Sequence, residues 1–410
     1  MRAYERLLHY VTFDTASDPE SPTCPSTDKQ KVLGADLVRE MKALGIRDAF
    51  MDEHGYVYGT VPATPGCEHA PVVGFIAHMD TVSEVPHADI KARVVKNYDG
   101  GDLELNAKEH IVVSAKEFPE MRALKGKDLI VTDGTTLLGA DDKAGIAEIL
   151  TMAETLLGDP RIPHGTVKIG FTPDEEIGRG ANLFDVKGFG ADFAYTVDGG
   201  AFGAVDYECF NAASLKVRVI GKNIHPGSAK NKMKNASLIA AEFIGMLPPC
   251  ERPEHTEMYE GFYHLCSMAG NEEHASLGYI LRDHDAQKLE DRKAFVRRAA
   301  DYLNAVYGAG TVELEIKDGY RNMSEVVSKH MHLIDNAKKA IEAVGGKPFS
   351  TPVRGGTDGA VLCYMGLPCP NLGTGGGNFH GRLEYACVQS MDQCTAAMVE
   401  IARLYGGMKR

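Results

Sequence analysis

The chain has 410 residues, 44% of them hydrophobic and 25% charged, and a formal net charge of −13. That length exceeds what one hydrophobic core usually supports, so two domains are expected, and the acidic balance argues against nucleic acid or an anionic membrane as partner. The nine cysteines are odd in number and dispersed without a C-x-x-C pair, which speaks against a disulfide framework or a thiolate zinc site.

The amino terminus has no uninterrupted apolar stretch of signal-peptide type, and no later run approaches the roughly 20 apolar residues of a membrane span, so a cytoplasmic location is expected. A helix is predicted over residues 28–44, where Leu33, Leu37, Met41 and Leu44 share a face, Ser26 or Thr27 can cap the start and Gly45 can end it. The apolar run 72–77 (VVGFIA) follows and stops at His78-Met79-Asp80. An amphipathic helix over 143–157 begins directly after Asp141 and Asp142. Two further apolar runs, 167–172 (VKIGFT) and 193–197 (FAYTV), stop just before Asp174-Glu175-Glu176 and at Asp198. Short apolar runs separated by helical patterns read as buried parallel strands within a doubly wound, mixed α/β sheet. Such sheets place their sites beyond the carboxyl ends of the strands, so nitrogen and oxygen ligands are lined up along one sheet edge. Imidazole and carboxylate without thiolate suit Zn²⁺ or another borderline divalent ion.

Between about 210 and 320 the pattern changes. Residues 214–220 alternate like a half-exposed strand, 235–247 are helical, 261–268 and 275–282 read as two strands, 285–306 as a long charged helix and 312–316 as a last strand. The order β-α-β-β-α-β is the split βαβ unit of ferredoxin-like domains. It predicts a second domain at 210–320, inserted into a first domain made of 1–209 and 321–410. A helix over 390–405, with Ser390 and Gln393 as a capping box, closes the first domain after His380.

Asp80 lies two residues beyond His78, so in an extended segment both side chains point the same way. It is read as the carboxylate that holds the second imidazole nitrogen, the usual support of a metal-bound histidine. Glu175 and Glu176 are adjacent and diverge, so one can ligate while the other faces substrate.

The runs HMD at 78–80, LGADDKAG at 138–145, TPDEEIGRGA at 172–181, TVDGG at 196–200 and NFHG at 378–381 resemble the co-catalytic di-zinc aminoacylase/carboxypeptidase-type metallopeptidases. NIHPGSAKNKMKNA at 223–236, YEGFYHL at 259–265 and VRGGTDGA at 353–360 extend the likeness over nearly the whole chain. The resemblance implies two Zn²⁺ per chain, with Asp141 as bridging ligand, His78 and Asp198 completing one site, and Glu176 and His380 the other. It further implies Glu175 as general base, His225 as a lid histidine that stabilises the oxyanion, and a cis peptide between Asp141 and Asp142. The same analogy makes the inserted domain at 210–320 a lid on a catalytic first domain and points to a homodimer through that lid. Arg282 and Arg354 are candidates for gripping a peptide carboxylate, because a guanidinium forms a bidentate fork with it. Short peptides are the expected substrates, and the expected reaction is removal of the amino-terminal residue from unblocked tripeptides. A carboxypeptidase or an N-acyl amino acid amidohydrolase would use the same metal set. Glu175 argues against a catalytically silent metal-binding protein, which has no need of an uncommitted carboxylate there.

Overall fold

Seven strands make the main sheet, in the order Phe50–Met51, Val57–Val61, Val167–Thr172, Val73–His78, Phe193–Gly199, Asn371–Gly373 and Val205–Asp206. The computed structural model in which they are seen describes residues 1–409. Pairing is parallel among the four inner strands from Val167–Thr172 to Asn371–Gly373 and antiparallel towards both edges, which makes the sheet mixed. Val73–His78 is buried along its whole length, as a central parallel strand covered on both faces must be. Its Ile76 pairs with Thr196, so His78 and Asp198, each two residues further on, leave the sheet side by side.

Ala140–Gly158 packs against Val73–His78 and Phe193–Gly199. It comes so near that a β-carbon on Gly145 would sit 1.9 Å from the Val197 carbonyl oxygen. Asp141 and Asp142 have non-helical backbone angles and the peptide between them is cis, so the regular helix starts only after them.

Two expected caps are not made. Lys29–Leu44 ends at Gly45 in the left-handed region as anticipated, but its start has no side-chain cap. Ser26 instead gives its N–H and hydroxyl to the Asp174 carboxylate, and Thr27 donates to the Ala16 carbonyl. The closing helix, Val388–Gly406, leaves directly from strand Tyr385–Cys387. Ser390 therefore lies inside it, and the free Val388 N–H is met by the Asp128 carbonyl at 3.0 Å.

A smaller antiparallel sheet, unpredicted from the sequence, joins Gly376–Gly377, Tyr385–Cys387, Leu129–Val131 and Arg93–Val95. Tyr98, Leu103, Met121, Leu129, Val131 and Tyr385 form its core. Two of its strands flank the turn that carries His380 and so fix where that turn stands.

By compactness the chain divides into one unit of Met1–Tyr207, Glu325–Ser350 and Thr357 onward, and a second of Glu208–Ser324 with Thr351–Gly356. The second unit is a four-stranded antiparallel sheet in the order Phe262–Gly270, His274–Asp283, Asn211–Ile220 and Val312–Asp318. Helices Ala236–Met246 and Ala286–Tyr307 bury Ile239, Phe243, Leu289, Val296 and Leu303 against it. The boundaries differ from 210–320 chiefly through 351–356. This segment is tied to the second unit by the Cys209–Val353 bridge and by Arg354, which lies over the rings of Phe210 and Phe262. No helix among the described residues is long and apolar enough to cross a membrane.

Candidate metal centre

Five side chains meet where the inner strands end. His78 Nε2 lies 3.0 Å from Asp141 Oδ1 and 3.5 Å from Asp198 Oδ1. On the other side of Asp141, its Oδ2 is 3.2 Å from His380 Nε2, which is in turn 3.0 Å from Glu176 Oε2. The order along the cluster is thus Asp198, His78, Asp141, His380, Glu176, with Asp141 presenting one oxygen to each half. Donor atoms of His78, Asp141 and Glu176 all fall within 4.8 Å of one another, and so do those of His78, Glu175 and Asp198. Glu175 is therefore within reach of the His78 half of the cluster.

The electrostatics describe a site short of positive charge. Burial pushes Asp198 up to about 6 against the pull of His78, and Glu176 up to about 7 against its hydrogen bond with His380. Glu175 is raised well above the ordinary carboxyl range by burial and then by Asp198. Burial also acts on Asp141, but hydrogen bonds from His380 and His78 outweigh it and hold Asp141 low. His380 is raised to about 11 by its bonds to Asp141 and Glu176; His78 is raised by Asp198 and Asp141 although burial opposes this. Divalent cations would balance this excess of buried carboxylate. Glu176 Oε1 is buried with no hydrogen-bond partner, an orphaned oxygen that a cation would satisfy. The imidazole and carboxylate donors fit a pair of borderline divalent ions.

Asp80 stands beside the second His78 nitrogen as expected, and does more. The His78 Nδ1 partner is the main-chain carbonyl of Asp80 at 3.0 Å, while its carboxylate stands off at 3.4 Å. That carboxylate accepts instead from the N–H groups of Glu175 and Glu176, at 2.9 and 3.2 Å. Asp80 thus ties the His78 strand end to the two-glutamate turn. The turn is held from its other side by Asp174, which accepts from Ser26 and Gln30.

Sequence reasoning did not find several groups that hold the ligands in place. Asp142 is buried and accepts from the His78 N–H at 3.1 Å. Asn371 takes the Asp198 N–H at 3.2 Å and donates to the Asp198 carbonyl. Glu384 accepts from the N–H groups of Leu138, Gly139 and Asp141.

The remaining candidates belong to the second unit. His225 is exposed and its Nδ1 accepts from the Gly227 N–H at 3.1 Å. In the neutral ring this leaves the proton on Nε2, as an outward donor. Arg282 Nε donates to the Tyr320 hydroxyl, and its Nη1 to the carbonyls of Leu281 and Ala213. Arg354 donates to the carbonyls of Met258 and Glu260 and to Thr256 Oγ1. Phe262 is the cross-strand partner of Arg282 and lies under the Arg354 guanidinium, while the Arg282 guanidinium lies over the Tyr320 ring.

A family model described as Peptidase family M20/M25/M40 matches residues 132–404. The chain is 52% identical over 405 residues to a peptidase T of Caldanaerobacter subterraneus subsp. tengcongensis, covering 99% of each. Among solved structures it is similar to the aminopeptidase PepT of Bacillus cereus, with a TM-score of 0.78 at 24% identity over 98% of both chains. It is also similar to a dinuclear metal-binding peptidase of the M20 family from Bacillus subtilis, with a TM-score of 0.65 at 14% identity over 98% of both. The family expected from the motifs and the mixed α/β architecture are both borne out. This chain belongs to the M20/M25/M40 family of peptidases.

Proposed function

We propose that the protein is a zinc-dependent aminopeptidase that releases the amino-terminal residue from unblocked tripeptides. The observation that carries the metal part is Asp141, whose two oxygens lie 3.0 and 3.2 Å from imidazoles of opposite halves of the cluster. The tripeptide part is supported by the high identity to peptidase T along the full chain.

In this reading His78 and Asp198 would hold one Zn²⁺, Glu176 and His380 the other, and Asp141 would serve both. Bound metal would polarise the scissile carbonyl and make water acidic enough to attack at neutral pH. Glu175, held by its N–H to Asp80 and with its carboxyl raised by burial, is the general base that takes the proton from the attacking water and passes it to the leaving amine. His225 donates its Nε2–H to the oxyanion. Arg282 and Arg354, each pre-oriented by hydrogen bonds to main-chain carbonyls, grip the substrate carboxylate. A homodimer through the second unit belongs to the same reading. It is supported by edge strand Phe262–Gly270, exposed along most of its length, and would sediment at twice 44.4 kDa.

Mass spectrometry of the products from an unblocked tripeptide tests reaction and polarity together. A free amino-terminal residue plus a dipeptide is expected, lost on chelation and restored by Zn²⁺. Release of the carboxy-terminal residue, or preference for N-acyl amino acids, would refute the assignment while leaving the family intact.

A further inference from the structure

We propose that Glu384 is a positioning residue for both metal sites, acting through the loop that carries Asp141. Its side chain is buried, with 2% of its surface exposed. Oε2 accepts from the N–H groups of Leu138 and Gly139 at 2.8 and 2.7 Å, and Oε1 from that of Asp141 at 2.9 Å. The three donors converge because Gly139 takes a left-handed conformation, φ 77°, which turns the loop back on itself just before Asp141. Glu384 comes four residues after His380 and immediately before strand Tyr385–Cys387. One side chain therefore couples the segment that delivers His380 to the loop that delivers the shared carboxylate.

Burial raises the Glu384 carboxyl to about 7, and the three N–H groups oppose this by favouring the ionised form. Three convergent N–H groups need acceptors on both oxygens, and a carboxylate is acceptor only, whereas an amide offers one oxygen and one NH₂. In Glu384→Gln the oxygen can serve either the Leu138 and Gly139 pair or Asp141. The NH₂ then faces a donor, and a buried N–H loses its partner. The loop must shift, and Asp141 shifts with it. Because Asp141 stands between His78 and His380, both halves of the cluster feel the change.

The inference rests on the two-metal reading above, so the test separates the two. Zn²⁺ is titrated calorimetrically into metal-stripped wild type, Glu384→Gln, and Leu156→Ala, a core change about four turns along the same helix that destabilises without touching the loop. The wild type is expected to bind two ions. Glu384→Gln is expected to bind both about 10- to 100-fold more weakly, the range for loss of a group that orients a metal ligand. Leu156→Ala is expected to bind as the wild type does. A wild type that takes up fewer than two ions overturns the metal reading and this inference with it. With wild-type stoichiometry intact, unchanged affinity in Glu384→Gln overturns the role of Glu384 alone, as does weakening at only one site or equal weakening in Leu156→Ala. Should Glu384→Gln not fold, Gly139→Ala decides. It keeps the carboxylate but strains the turn that presents the donors, and it must weaken both sites for the proposal to stand.

Discussion

Replacing Gly145 by alanine asks how much the metal cluster depends on the approach of one helix to one strand. The new β-carbon would lie 1.9 Å from the Val197 carbonyl oxygen, where 3.0 Å is the least that real contacts tolerate, so helix and strand must separate by about 1.1 Å. Neither side can yield by rotating a side chain, because the obstacle is main chain. Overpacking of a core typically costs about 1–3 kcal/mol, and an immobile backbone puts this case at the upper end. The functional cost is larger in proportion. Asp141 stands just before the regular part of the helix, and Asp198 directly follows Val197, so the same displacement separates two carboxylates that the proposed function assigns to one metal. A misplacement of about 1 Å is enough to cost about 100-fold in rate. The assay is tripeptide turnover with bound zinc measured on the same sample. Gly158→Ala is the control, since it changes the last residue of the same helix, where nothing lies within 4 Å. Turnover and metal content in Gly145→Ala equal to those of Gly158→Ala would show that the ligands are not positioned by this contact.

Glu175→Gln keeps size and shape but removes the base, so turnover should fall about 100- to 10,000-fold while zinc content, read by atomic absorption, stays at the wild-type value. His225→Ala should lower kcat and leave metal content unaltered; unaltered kcat would remove His225 from the mechanism. Glu148 is buried with neither oxygen hydrogen-bonded, and burial followed by Asp392 raises its carboxyl well above the ordinary range. The folded state therefore binds a proton that the unfolded state releases near pH 4.3. This contribution is fully present below that pH and is lost as pH rises towards the folded value, at up to about 1.4 kcal/mol per pH unit. Urea midpoints should show Glu148→Gln gaining on the wild type between pH 5 and 8; parallel curves would mean that Glu148 is ionised or solvated when folded.

Four of the candidate site residues were legible because they stand where buried strands stop, and strand ends are marked in sequence by the change from apolar to polar. His78, Glu175, Glu176 and Asp198 declare themselves in this way, and the alternation over 214–220 and 312–316 likewise betrays the sheet of the second unit. What could not be read are pairings whose meaning lies in a distant main chain. Glu384 serves N–H groups more than 240 residues away, and no spacing rule links them. Ser26 looked like a helix cap because local geometry allows it, yet the Asp174 carboxylate 148 residues on is the stronger acceptor. Asp80 was assigned the right neighbour, but residue spacing cannot tell that its main-chain carbonyl, at 3.0 Å, stands nearer the His78 imidazole than its carboxylate, at 3.4 Å. The small sheet of the first unit escaped because its strands are only two or three residues long, too short for a period to register.

His380 arrives late. It is synthesised about 180 residues after Asp198, or ~10–40 s at ~5–20 residues per second, and the strand Asn371–Gly373 that completes the inner sheet comes just before it. Until then the growing chain holds the carboxylates of Asp141, Glu175, Glu176 and Asp198 with His78 as their sole cluster imidazole. A cation captured on the ribosome would meet half a cage, with no shared carboxylate yet gripped from its far side. On the proposed two-metal reading, metal loading would thus be a final act of maturation, since a chain interrupted before His380 would present the carboxylates without the second imidazole.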